Sequence, residues 1–174
     1  LASSAASDVY KRQPERRTLH LTHVLVRLFN ADLTMTEDKT PCILLFNDIH
    51  VSNENIPEFK LNWNEALNIC DKYGISDIAI GGDLFQSRAS QTLDVLLAVH
   101  DALLEAEDRD INVIIANGNH DLINQEAIRG YCHVFDQHEN VDVVDDYYIA
   151  GYPGFDLFIM AYFPENGSFT ERLQ

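Results

Sequence analysis

The chain has 174 residues, a formal net charge of −16, and a composition that is 46% hydrophobic and 23% charged. That length supports one domain with a substantial core, and that balance excludes a largely disordered chain. The acidity argues against broad electrostatic binding of nucleic acid, and no apolar run is long enough to span a membrane.

Taken in chain order, residues 1–34 stand apart. They hold five Lys/Arg and three Asp/Glu, a balance of +2 against −18 for the remainder. Leu1 to Gln13 are small, polar and without period, and they read as translated adapter sequence. An apolar run follows within Thr18 to Leu33. The segment 1–34 is therefore expected to be a non-native or disordered leader, with a compact domain over 35–174.

Cys42 to Asn47 (CILLFN) is an apolar run of strand length. Leu61, Ala66, Ile69 and Tyr73 have helical spacing over Leu61 to Lys72, and Gly74 supplies a stop. Asp77 to Ile80 (DIAI) is a second strand. Thr92 to Glu107 carries Leu93, Leu96, Leu97, His100, Leu103 and Leu104 on one predicted helical stripe. Asn112 to Ala116 (NVIIA) is a third strand. This β-α-β-α-β order implies parallel strands. A short helix near Glu126 to Tyr131 and a strand at Val141 to Val144 follow. Two further strands are expected at Tyr147 to Ala150 and Phe155 to Tyr162, joined by a turn at Gly151 to Gly154.

Each of the first three strands ends in residues that ligate metals. These are Asp48-Ile49-His50, Gly81-Gly82-Asp83 and Gly118-Asn119-His120-Asp121. Sites in open parallel sheets form beyond the carboxyl ends of the strands, so the clusters should meet on one edge. Extended backbone would turn Asp48 and His50 to the same side. Asp83 can bridge two cations, and Asn119 offers a neutral oxygen. Mixed nitrogen and oxygen donors suit Mn²⁺, Fe²⁺ or Zn²⁺ better than Ca²⁺. His120 is placed to protonate a leaving oxygen. Any one cluster alone could be a turn or a solvated strand end.

In combination the three clusters resemble the first signatures of the calcineurin-like metallophosphoesterases. Gly81-Gly82-Asp83-Leu84-Phe85 with Arg88 resembles the SbcD-type nuclease subunits, including phage recombination endonuclease subunits. The resemblance implies an αββα sandwich, truncated at its C-terminal side. It implies two divalent ions, most often Mn²⁺ with Fe²⁺, Zn²⁺ or Mg²⁺ as alternatives. Asp48 and His50 would hold the first ion, Asp83 would bridge, and Asn119 would hold the second. His120 would be catalytic in hydrolysis of DNA phosphodiesters. An SbcC-type ATPase would be the partner, a homodimer is compatible, and the setting would be the cytoplasm of a bacterium or phage-infected cell.

Two departures stand out. Gln86 occupies a position where many members carry an Asp that orients the catalytic histidine. The Gly-His-x-His signature that supplies late ligands is missing from the 174 residues. The chain by itself is therefore expected to hold metal weakly and show little activity. The same ligands would equally serve a phosphatase or a nucleotide phosphodiesterase. Among secondary candidates, Arg88 is expected to meet phosphate or pair with an acid, and Asp121 to support its loop. His100 is expected to be a packed boundary histidine, with His133 and His138 on the surface. Cys42, Cys70 and Cys132 are an odd set without C-x-x-C spacing, which suggests reduced thiols in the cytosol.

Overall fold

The structure is a computed structural model that describes residues 41–124 and 129–163. The leader 1–34 and the segment expected to be helical at 126–128 lie outside the described residues.

Four parallel strands form one sheet in the order β1-β2-β3-β4, with β1 Leu44–Phe46, β2 Asp77–Ile80, β3 Asn112–Ala116 and β4 Val141–Val144. Helices α1 (Ile56–Tyr73) and α2 (Leu93–Glu107) make the crossovers. Strands β5 (Tyr147–Tyr152) and β6 (Phe155–Met160) pair antiparallel as a separate hairpin. Tyr131–Phe135 forms a 3₁₀ turn ahead of β4. The fold is thus mixed α/β, with a parallel sheet between a helical layer and a hairpin.

Strand alternation sorts the core into two sides. Ile78, Ile80, Val113 and Ile115 face the helices, where they join Trp63, Leu67, Val99 and Leu103. Ala79, Ile114 and Ala116 point the other way and pack with Val144 and Ile159 near the hairpin. A sheet covered on both faces needs apolar residues at every position, which is why DIAI and NVIIA read as unbroken runs.

Both helices exist where helical spacing predicts them, but their buried faces differ from the expected stripes. In α1 the buried residues are Phe59, Trp63, Ala66, Leu67 and Cys70, while Leu61 and Tyr73 are exposed. The helix also starts earlier, at Ile56, with Pro57 in its first turn, where the missing N–H removes no helical bond. In α2 the buried face is Val95, Ala98, Val99, Ala102, Leu103 and Ala106. Leu93, Leu97 and Leu104 are exposed. The helix is apolar nearly all round, so periodicity alone leaves the phase open. The alanine side is the one that fits against the sheet and α1. Thr92 caps α2 by accepting from the Val95 N–H, and Gly74 closes α1 in the left-handed region.

Two polar ties hold the helices together. Trp63 Nε1 donates to Ala102 O at 2.7 Å. Arg109 donates to Asp71 at 2.7 Å and also to Asn68 and Asn64.

The β3–β4 region corrects the histidine expectations. His133 is half-buried and its Nε2 lies 2.7 Å from Asp145, whose carboxylate also accepts from Asn117 Nδ2. His138 is nearly enclosed and pairs with His100 at 2.9 Å, Nε2 to Nδ1. Neither is a surface residue, because the loop before β4 folds back over the end of α2. The three cysteines are free, as expected.

Candidate metal centre

The first two clusters lie side by side because β1 and β2 keep pairing after both strands end. Gly81 N donates to Phe46 O, Asp48 N to Gly82 O, His50 N to Asp83 O and Val51 N to Leu84 O, at 2.8–3.2 Å. Gln86 N then donates back to Val51 O at 3.0 Å. The loops are therefore a hydrogen-bonded ladder rather than free connections.

The ladder is not made of extended backbone. Asp48, His50 and Asp83 have φ values of 55°, 52° and 54°, three of the four non-glycine residues in the left-handed region among those described. This corrects the expectation of an extended Asp48-Ile49-His50. The two side chains converge because both residues take the same left-handed turn with Ile49 between them. Each such residue is strained by about 1–3 kcal/mol, and strain of this kind gathers at functional sites.

The third cluster arrives from β3. Gly118 passes so close to Asp83 that a Cβ at this position would collide with the Asp83 N and carboxylate. Only glycine allows this approach. His120 N donates to Asp83 Oδ1 at 2.9 Å, which fixes the carboxylate from the side of β3.

Asp121 joins the second and third loops. It is fully buried and accepts from Gly118 N at 2.7 Å, Phe85 N at 2.9 Å and Leu84 N at 3.3 Å. Burial raises its pKa, the three backbone N–H groups oppose that rise, and the nearby Asp83 charge adds to it. Its three bonds tie the second loop to the third.

Those donors now stand together. Asp48, His50 and Asp83 each offer an atom, and the three atoms lie within 4.8 Å of one another, a spacing that can hold a metal ion. His50 Nε2 is 3.7 Å from Asp48 Oδ1, beyond hydrogen-bond range, and His50 Nδ1 is buried without a partner. The Asn119 side chain lies 3.0 Å from both carboxylate oxygens of Asp83. With its amide nitrogen turned inward it donates to both. Two carboxylates and an imidazole at this spacing fit a divalent ion.

His120 stands beside this set. Its ring centroid is 4.8 Å from that of His50, nearly perpendicular to it. His120 Nδ1 lies 2.8 Å from the main-chain oxygen of Gln86. A carbonyl only accepts, so Nδ1 carries the hydrogen and Nε2 is left to face outward. The group that holds the His120 ring is thus the main chain of Gln86 and not its side chain.

Arg88 Nε donates to Asn119 O at 2.7 Å, and its own carbonyl accepts from Tyr131 OH at 3.0 Å. It holds the Asn119 loop and pairs with no acid through this nitrogen. Sequence reading missed Asn55, which accepts from Ser52 N and donates to His50 O at 2.9 Å. An Asn just before a Pro-containing helix start was the available signal.

No family model matches the chain, and no curated protein matches it. Among solved structures, the crystal structure of Pseudomonas putida nuclease MPE is similar, with a TM-score of 0.42 and 18% identity. The similarity covers 62% of this chain and 50% of that one, so it spans half of that nuclease's length. Among the described residues, no helix is long and apolar enough to cross a membrane.

Proposed function

We propose that this chain carries the metal-binding half of a phosphoesterase site of the calcineurin-like type, acting on DNA phosphodiesters. The observation that supports this reading is the meeting of Asp48, His50, Asp83, Asn119 and His120, from three separate loops, at one end of a parallel sheet. Asp48 and His50 would hold one divalent ion, Asp83 would be shared, and Asn119 would serve a second ion. Ions held there, most readily Mn²⁺, would neutralise phosphate charge and acidify a water.

The chain's own residues do the rest. Asp83 is fixed by His120 N, and Asn119 is fixed by Arg88, so the donors keep their spacing before any substrate arrives. When water attacks phosphorus, the bond to the sugar oxygen breaks and that oxygen needs a proton. His120 would supply it from Nε2 as the imidazolium, which carries a proton on both ring nitrogens, and would be left with the Nδ1–H that the Gln86 carbonyl holds. An SbcC-type ATPase is the proposed partner and a homodimer the proposed assembly, in the cytoplasm.

Calorimetric titration with Mn²⁺ tests the metal reading. Uptake by the wild-type chain that is lost in Asp83→Asn is the expected result, and equal uptake by both would refute the assignment. The substrate is tested separately. DNA association should weaken steeply with added salt, whereas a small phosphomonoester substrate would show a shallow dependence.

A further inference from the structure

Next to the candidate metal centre lies a cleft of about 240 Å³. Asp48, His50 and Gln86 form one side of it. Its other wall is aromatic, built by Phe46, Phe59 and Trp63. Drug-sized ligands occupy about 300–1,000 Å³, so this cleft suits a single flat ring system.

The wall is rigid. Phe59 and Trp63 are buried, with ring centroids 6.1 Å apart, and Phe46 approaches Trp63 at 6.4 Å. The indole nitrogen of Trp63 is already bound to Ala102 O, which fixes the ring. Trp63 thus packs in the core and stands on the cleft wall as well.

The rim is polar and uncommitted. Glu58 and Asn62 stand one turn apart on α1, both line the cleft, and neither side chain makes a hydrogen bond with a described residue. A carboxylate only accepts, while an amide both donates and accepts. Together they match the edge of a heterocycle that carries an amino group beside a ring nitrogen or carbonyl.

We infer that this cleft is a subsite for an amino-bearing nucleobase, stacked against the Phe59–Trp63 wall and read by Glu58 and Asn62, adjacent to the phosphate-binding centre. The inference deepens the proposed function and rests on it for the attached phosphate. Recognition of the ring itself needs no metal. Stacking of a base on an aromatic side chain is a sequence-tolerant attraction, and the rim supplies a modest preference.

The test uses the full chain and its single tryptophan, which makes fluorescence a direct report on the wall. Guanosine, adenosine and cytidine are titrated without metal, with ribose 5-phosphate as the probe lacking a base. A saturable fluorescence change with the nucleosides and none with ribose 5-phosphate is expected. Glu58→Gln and Asn62→Ala, both on the helix surface, should each weaken the best nucleoside by about threefold to tenfold. No saturable change with any nucleoside, or equal affinities in wild type and both variants, overturns the subsite. Mn²⁺ uptake measured on the same samples separates the two readings. Uptake without nucleoside binding leaves the metal centre standing and removes the cleft. Nucleoside binding without uptake supports the ring subsite and removes the phosphoesterase reading.

Discussion

At the scale of single residues, the centre is built from side chains held in conformations they do not favour. Asp48 and His50 sit at positive φ with exposed or half-buried side chains, and nothing in the core depends on them. Replacing either with glycine removes a candidate metal donor and relieves backbone strain together. Asp48→Gly is therefore expected to raise the unfolding temperature of the metal-free chain, by the equivalent of about 1 kcal/mol, while Mn²⁺ uptake falls. Thermal denaturation with and without Mn²⁺ checks both halves, and a destabilised metal-free variant would contradict the strain account. His120 has a different role. His120→Gln should leave metal uptake near wild type and lower any hydrolysis rate by about 10²–10⁴-fold. The identities of these residues were legible in the sequence, since Asp-x-His, Gly-Asp and Gly-Asn-His-Asp each follow an apolar run. Their geometry was not. No spacing rule shows that Asp48 and His50 are left-handed, or that His120 Nδ1 meets the main-chain oxygen of Gln86.

At the scale of elements, the loops are held by one buried carboxylate and the helices by their small residues. Asp121→Asn would place an amide N–H among three backbone N–H donors. A loss of about 1–3 kcal/mol is expected, read as an earlier denaturant midpoint, with the slope unchanged. In α2, Leu97→Gln should change stability by less than about 0.5 kcal/mol, whereas Ala102→Leu should destabilise by about 1–3 kcal/mol through overpacking. A stripe through Leu93, Leu97 and Leu104 would predict the reverse order. The existence and ends of β2, β3, β4 and α2 were readable because apolar runs bounded by polar residues leave little choice. The buried face of α2 was not, because a helix apolar on several sides carries no phase information until its neighbours are in place.

The same scale holds a pH-sensitive contact. Burial, and then the neighbouring His100, hold the His138 imidazole below its ordinary value of 6.5, with Glu107 opposing. The unfolded chain therefore takes up this proton first as the solution is acidified. Stability from this contact is complete above about pH 6.5 and is lost as pH falls through that value toward the folded pKa. The unfolding temperature should be lower at about pH 5.5 than at about pH 7.5. His138→Gln should narrow that difference.

For the whole molecule, the parallel sheet sets where chemistry can occur, and the −16 charge sets how a polyanion can approach. An acidic body repels DNA except where cations reverse the local sign, so binding should require Mn²⁺ and fail after chelation. Electrophoretic mobility of a short duplex with and without chelator measures this. The three described donors Asp48, His50 and Asp83 surround one point, while Asn119 reaches only Asp83. One ion should consequently bind more tightly than a second in this chain. The layered α/β plan was visible in the alternation of apolar runs and helical spacing. The division of the sheets was visible only in outline, because a hairpin such as β5–β6 shows its inner face through packing with Ala79 and Ile114, residues far away in sequence.

The pairing that runs from β1–β2 out to Val51 and Phe85 makes the ligand loops part of the sheet's edge. Amide protons of Asp48, His50 and Val51 should then exchange with solvent on the timescale of β1 rather than that of a free loop. Occupancy by an ion would slow all three together, so the centre would open and close as a single cooperative unit with the strand that carries it.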